Sequence, residues 1–168
     1  MSGRVDWLPP LVLLEDHEGD WDRYCDAVYR FFWEDFVSSR PEFDSRRVGI
    51  TREPMLRGKE ATFWHLISEG SVEEDRPPDI RRCERIRWPR PLIEAASARK
   101  VKCWANRRRG QQRILVAVDD FSYLVVLIDR GHYVLLLTAY FVEREQRRRK
   151  LRSEWSNSQR TAEGQTPP

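Results

Sequence analysis

The stretch Gly131-His132-Tyr133-Val134-Leu135-Leu136-Leu137-Thr138-Ala139-Tyr140 decides the architecture. It is an apolar run opened by a turn-forming glycine, and it ends in two hydroxyl-bearing side chains two positions apart. Residues two apart on a strand share a face, so Thr138 and Tyr140 are expected to project together from one end of a sheet. Three similar runs precede it, at residues 101–106, 112–118 and 122–128, separated by Arg107-Arg108-Arg109-Gly110, Asp119-Asp120 and Asp129-Arg130-Gly131. Joins this short force antiparallel neighbours. Residues 123–128 carry almost no polar side chain on either face, which marks a central strand with helices packed on one or both sides.

Upstream, the chain reads as helical. After a brief extended segment at 11–14, Trp21, Cys25, Val28, Phe32 and Phe36 recur at steps of three and four behind Asp20. That spacing predicts an amphipathic helix over 20–38, with Asp20 as N-cap and the aromatics in the core. Arg40-Pro41 ends it, and 43–50 reads as an edge strand. Gly58 precedes a short helix over 59–67, and the acidic, proline-containing stretch 69–78 reads as a loop. A second helix starts at Asp79, breaks at Trp88-Pro89-Arg90-Pro91 and resumes over 91–98. Beyond the sheet, 143–155 predicts a basic helix, and 156–168 a disordered polar tail without core material. The expected fold is therefore α+β: one domain over 1–155, with an N-terminal helical layer on a four-stranded antiparallel sheet and a C-terminal basic helix.

With 168 residues, 40% hydrophobic and 34% charged, the chain is large enough to bury a core. Its net charge of +3 conceals a polarity: residues 1–79 hold 10 Lys/Arg against 18 Asp/Glu, and residues 80–168 hold 20 against 9. An acidic part and a basic part in one small domain would orient it against a polyanion, although such a surface can also be merely solvated. Cys25, Cys83 and Cys103 are odd in number and form no Cys-x-x-Cys pair, which argues against a disulfide framework or a zinc set and for a reducing cytoplasm. No signal-peptide core precedes the domain and no apolar run is long enough for a bilayer, so no membrane partner is expected.

The residues with chemical potential fall in three places. His65 lies beside the apolar anchors Phe63 and Trp64, within Lys59-Glu60-Ala61-Thr62-Phe63-Trp64-His65. An imidazole there can remove a proton from a ribose hydroxyl or give one to a leaving oxygen. Arg82 and Arg85, three apart on one predicted helix, offer forked guanidiniums to phosphate oxygens, unless they belong to a solvated charged face. Thr138 and Tyr140 could hydrogen-bond a non-bridging oxygen while the tyrosine ring stacks on a base. Lys59 and Glu60, the turn Arg107, Arg108 and Arg109, and the run Arg147, Arg148, Arg149 and Lys150 would add contacts along RNA. No ligand set for a metal is apparent and no cofactor is implied. Together these groups suit a small enzyme acting on phosphodiesters, with a non-catalytic module that binds nucleic acid or protein through the same basic face as the rival.

The order of these features resembles the superfamily of metal-independent ribonucleases that includes barnase, EndoU, colicins and RelE, and particularly its phage- and prophage-associated branch. The likeness rests on Gly58-Lys59-Glu60-Ala61-Thr62-Phe63-Trp64-His65, on Arg82-Cys83-Glu84-Arg85-Ile86-Arg87-Trp88, and on Leu137-Thr138-Ala139-Tyr140 followed by a basic helix. The resemblance implies a cytoplasmic endoribonuclease that cleaves single-stranded RNA, tRNA or mRNA by attack of the neighbouring 2′-hydroxyl, leaving a 2′,3′-cyclic phosphate. It further implies a toxin of a toxin–antitoxin or anti-phage system, with a cognate antitoxin or immunity protein as partner. By it, His65 is the acid/base, Arg82 and Arg85 hold the phosphate, and Thr138 with Tyr140 complete the site. Lys59, Glu60 and Tyr140 are the alternatives for a second proton-transfer group.

Overall fold

The structure is a computed structural model and describes residues 6–69 and 77–164; residues 70–76 of the expected loop lie outside these. The second half of the chain forms an antiparallel meander, β3 (Lys102–Arg108), β4 (Gln111–Ala117), β5 (Tyr123–Asp129) and β6 (Tyr133–Phe141). Arg108 pairs with Gln111, so Arg109 and Gly110 alone make the first turn. Both have positive φ, 51° and 74°, the conformation whose twist matches that of the flanking strands.

The sheet nevertheless has six strands rather than four, and it is mixed. Residues 43–50 do not form one edge strand. They fall largely within a hairpin of β1 (Glu42–Phe43) and β2 (Arg46–Gly49), turned by Asp44 and Ser45 at φ 48° and 66°. β2 then pairs in parallel with β6, Arg47 with Tyr133, Val48 with Val134 and Gly49 with Leu135, giving the order β1-β2-β6-β5-β4-β3. Parallel partners meet only through a long crossover, so nothing in the local pattern of 43–50 announces this pairing.

Side chains on the two faces of the sheet feed two cores. Tyr123, Val125 and Leu127 of β5 join a large cluster with the helices that precede the sheet, while Leu124 and Val126 join a smaller one with the final helix. Every residue from Tyr123 to Ile128 is buried, as a central strand covered on both faces requires. β6 carries an extra residue, because Val126 pairs with Thr138 and Leu127 with Leu136. Leu137 is thus a β-bulge. Val134, Leu136, Ala139 and Phe141 consequently serve the large core, while Leu137 and Tyr140 pack against the smaller one.

In the helical layer, α1 (Trp21–Phe36) is capped by the Asp20 carboxylate, which accepts from the Arg23 N–H at 3.2 Å. Its buried stripe is Tyr24, Val28, Phe32 and Phe36. Trp21, expected in the core, is 37% exposed and stands at the edge of a cavity. α2 (Ala61–Ile67), α3 (Ile80–Glu84) and α4 (Pro89–Ala95) complete the layer. α4 starts at Pro89, not Pro91. Both prolines fit because the first N–H groups of a helix have no partner within it.

On the other face, α5 (Glu145–Gly164) outruns the expected 143–155 and takes in residues expected to be a disordered tail. Leu151 and Trp155 anchor it on Trp104, Phe121 and Leu115, and the helix propagates from there. Among the described residues, no helix is long and apolar enough to cross a membrane.

Candidate functional site

The short helix α2 is fixed at both ends. At its start, the Ala61 and Thr62 N–H groups donate to the carbonyls of Arg52 and Thr51, and the buried Thr62 hydroxyl accepts from the Thr51 N–H at 2.8 Å. At its end, Arg82 Nη1 donates to the carbonyls of His65 at 3.3 Å and Ser68 at 3.0 Å. The same Nη1 donates to Thr138 Oγ1 at 3.3 Å, and that hydroxyl donates in turn to the His65 carbonyl at 3.1 Å. Two side chains from elements far apart in sequence thus satisfy the C-terminal carbonyls of α2, where the helix dipole favours a cation.

This linkage is possible because β2 accompanies β6 only as far as Leu135. Beyond that point β6 has no strand on this side, and α2 and α3 lie against its edge. Arg82 reaches over that edge, with its guanidinium 5.1 Å from the centre of the Tyr140 ring. Its side chain is only 10% exposed, and Asp79 Oδ2 approaches its Nε at 3.8 Å. Burial lowers the Arg82 pKa, opposed by the nearby Asp79 and Glu69 carboxylates.

His65 and Ser68 also line a cavity of about 450 Å³ between α1 and α2, together with Trp21, Arg57, Lys59 and Trp64. Lys59 lies 3.9 Å from Asp26 and 5.2 Å from the centre of the Tyr29 ring. Glu60 is placed differently from its neighbour. It is 4% exposed and accepts from the Tyr29 hydroxyl at 2.6 Å, which sets it behind the cavity rather than on an RNA-accessible surface. Burial and this bond push the Tyr29 phenol up to about 12.

The five residues expected in the catalytic site do not all converge. His65, Arg82, Thr138 and Tyr140 form one connected set, but Arg85 turns away. Its guanidinium lies 4.4 Å from the centre of the Phe141 ring and 5.2 Å from that of Trp88, and Nη1 donates to the Arg81 carbonyl at 3.1 Å. Arg82 lies within α3, whereas Arg85 is its C-cap, where the backbone leaves the helix at φ −104° and ψ 20°; the first side chain reaches Thr138 and the second Phe141. Of the outer cations, Arg107, Arg108 and Arg109 stand exposed at the hairpin turn. Arg148 is tied to the Val142 carbonyl at 2.7 Å and packs over Phe141, Arg149 lies 3.7 Å from Glu145, Arg147 is half-buried and Lys150 is exposed.

Two polar residues on the Thr138–Tyr140 face were not singled out by the sequence. Register places Thr138 across from Val126, and Val126 across from Leu115; Arg113, two residues from Leu115, and its cross-strand partner Asn106 therefore share that face. Arg113 Nε and Asn106 Oδ1 are both buried and have no hydrogen-bond partner among the described residues. Burial and the nearby Arg108 and Arg109 lower the Arg113 pKa. The available signal was a lone arginine at an inward position of an apolar strand. Among the described residues, no group of three His, Cys, Asp or Glu is placed to hold a metal.

No family model, no curated protein and no solved structure matches this chain.

Proposed function

We propose that the protein is a small endoribonuclease that cleaves RNA through its 2′-hydroxyl, acting as a toxin in the cytoplasm. The observation that carries this reading is the shared clamp on His65: Arg82, whose guanidinium lies over the Tyr140 ring, and Thr138 hold its carbonyl, while His65 itself lines a cavity with Arg57 and Lys59. A nucleotide seated there would meet an imidazole, cations for its phosphate and indoles for its base. In the proposed reaction His65 takes the proton from the ribose 2′-hydroxyl as O2′ attacks phosphorus. The P–O5′ bond then breaks, a 2′,3′-cyclic phosphate remains, and Tyr140 gives its proton to the departing O5′. Arg82 and Thr138 act chiefly as positioning residues, Arg113 adds positive potential, and Arg85 braces α3 against Phe141.

The rival, a binding module without catalysis, is favoured by one observation: Arg82, Thr138 and Glu60 are all engaged in internal hydrogen bonds. Incubating the purified protein with RNA in excess EDTA separates the two. The expected products carry 2′,3′-cyclic phosphate and 5′-hydroxyl ends. His65→Ala should lower the rate by about 10² to 10⁴ while retaining RNA binding, the usual loss for a general acid or base. Equal cleavage by wild type and His65→Ala would remove His65 from the chemistry, and absence of cleavage by both would favour the rival.

A further inference from the structure

A second hollow, of about 490 Å³, opens where β2 runs beside the start of β6. Arg40, Arg47, Arg52, His132 and Tyr133 line it. None of the three arginines has an ion-pair partner among the described residues. Glu42 is the cross-strand neighbour of Arg47, yet the two make no ion pair. The contrast lies one residue away: Arg46, on the opposite face of β2, is paired with Asp129 at 2.8 Å. Three guanidiniums gathered round one hollow repel each other, and their forks match the oxygens of a phosphate. Tyr133 stands beside Arg47 and is 44% exposed, so its ring is open to stacking.

The position of this hollow relates it to the first site. Tyr133 and Leu135 point to the same face of β6 as Thr138 and Tyr140, because the bulge at Leu137 absorbs the odd spacing. Five residues of strand separate Tyr133 from Thr138 by about 16 Å, a reach of a few nucleotides. Arg52 lines the second hollow while Arg57 and Lys59 line the cavity of His65, so residues 52–59 connect the two and place a cation at each end.

We infer that Arg40, Arg47, Arg52 and Tyr133 form a second subsite for single-stranded RNA, taking backbone phosphate on the arginines and a base on the tyrosine. The proposal rests on the reading of the protein as one that acts on RNA, but not on its being a catalyst. The test uses the full chain and an uncleavable 2′-O-methyl RNA of about ten nucleotides, within the length that small single-strand binders cover. Arg47→Gln/Arg52→Gln should weaken binding at least tenfold and reduce the slope of log affinity against log salt by about 1.4, for two lost phosphate contacts on a single strand. Tyr133→Ala should weaken binding about five- to hundredfold with the salt slope unchanged, since stacking releases no counterions. If the wild type cleaves a dinucleotide, too short to span both sites, the double variant should cleave it at the wild-type rate.

Wild-type affinity and salt slope in the double variant, or loss of binding to a polyglutamate peptide with RNA binding retained, would overturn the subsite. If wild-type protein binds the RNA but cleaves nothing, the catalytic proposal fails while the subsite is still judged by these affinities.

Discussion

At the scale of single residues, Arg82 inside α3 and Arg85 at its C-cap show how the end of a helix can separate roles. Arg82 ends among carbonyls, a hydroxyl and the Tyr140 ring; Arg85 ends between Phe141 and Trp88 with its Nε buried and unbonded. Burial lowers the Arg85 pKa, so its charge is held at a cost. Replacing such a group by an apolar side chain of similar length is commonly neutral or stabilising. Arg85→Met is therefore expected to keep kcat within a few-fold of wild type with Tm unchanged or higher; a hundredfold fall in kcat would return Arg85 to the reaction. Asp35 offers an independent test on α1. Burial raises its carboxyl to about 6, although Arg90 and Arg87 oppose the shift. The folded state then binds more protons than the unfolded state between about pH 4 and 6, so stability falls as pH rises through that window and stays lower above it. Asp35→Asn should raise urea-unfolding stability at pH 7 by up to about 3 kcal/mol and flatten its dependence between pH 4 and 6. Sequence alternation placed Thr138 and Tyr140 on one face correctly. It could not have shown that Glu60 turns inward to Tyr29, since that depends on a partner 31 residues away.

Among the elements, those governed by local spacing were readable and those governed by distant pairing were not. The Asp20 cap, the α1 period and all four strands of the meander follow from patterns within a dozen residues. The parallel β2–β6 pair joins residues 47 and 133, and no periodicity encodes that. α5 was underestimated for a related reason. Its polar C-terminal half has little to bury, but it extends a helix already seated on the sheet through Leu151, which is 1% exposed. Leu151→Ala should accordingly destabilise the protein by about 2–5 kcal/mol, the usual range for a buried leucine, as measured by urea denaturation. A change below about 0.5 kcal/mol would mean that α5 is not held by the smaller core.

For the whole molecule, the uneven charge becomes a division of labour. The acid-rich residues 1–79 contribute α1, α2 and the β1–β2 hairpin, and the cation-rich residues 80–168 contribute α3, α4, the meander and α5. Neutralising Arg147, Arg149 and Lys150 to glutamine should raise KM for RNA and flatten the salt dependence while leaving kcat nearly constant, because such contacts hold the ground state and the transition state equally. A comparable fall in kcat would place α5 within the reacting site instead.

The single extra residue at Leu137 has a consequence for how such a chain can vary. It works as a phase shifter: upstream of it even-numbered positions feed the large core, and downstream odd-numbered ones do. Removing Leu137 would restore plain alternation and leave Thr138 opposite Val126 and Tyr140 opposite Leu124, whereas closing the bulge with Leu137 retained would pair Leu137 with Val126 and turn Thr138 and Tyr140 toward the large core. The face that Thr138 and Tyr140 present thus depends on Leu137 staying out of the ladder, so deleting it should leave both side chains where they stand.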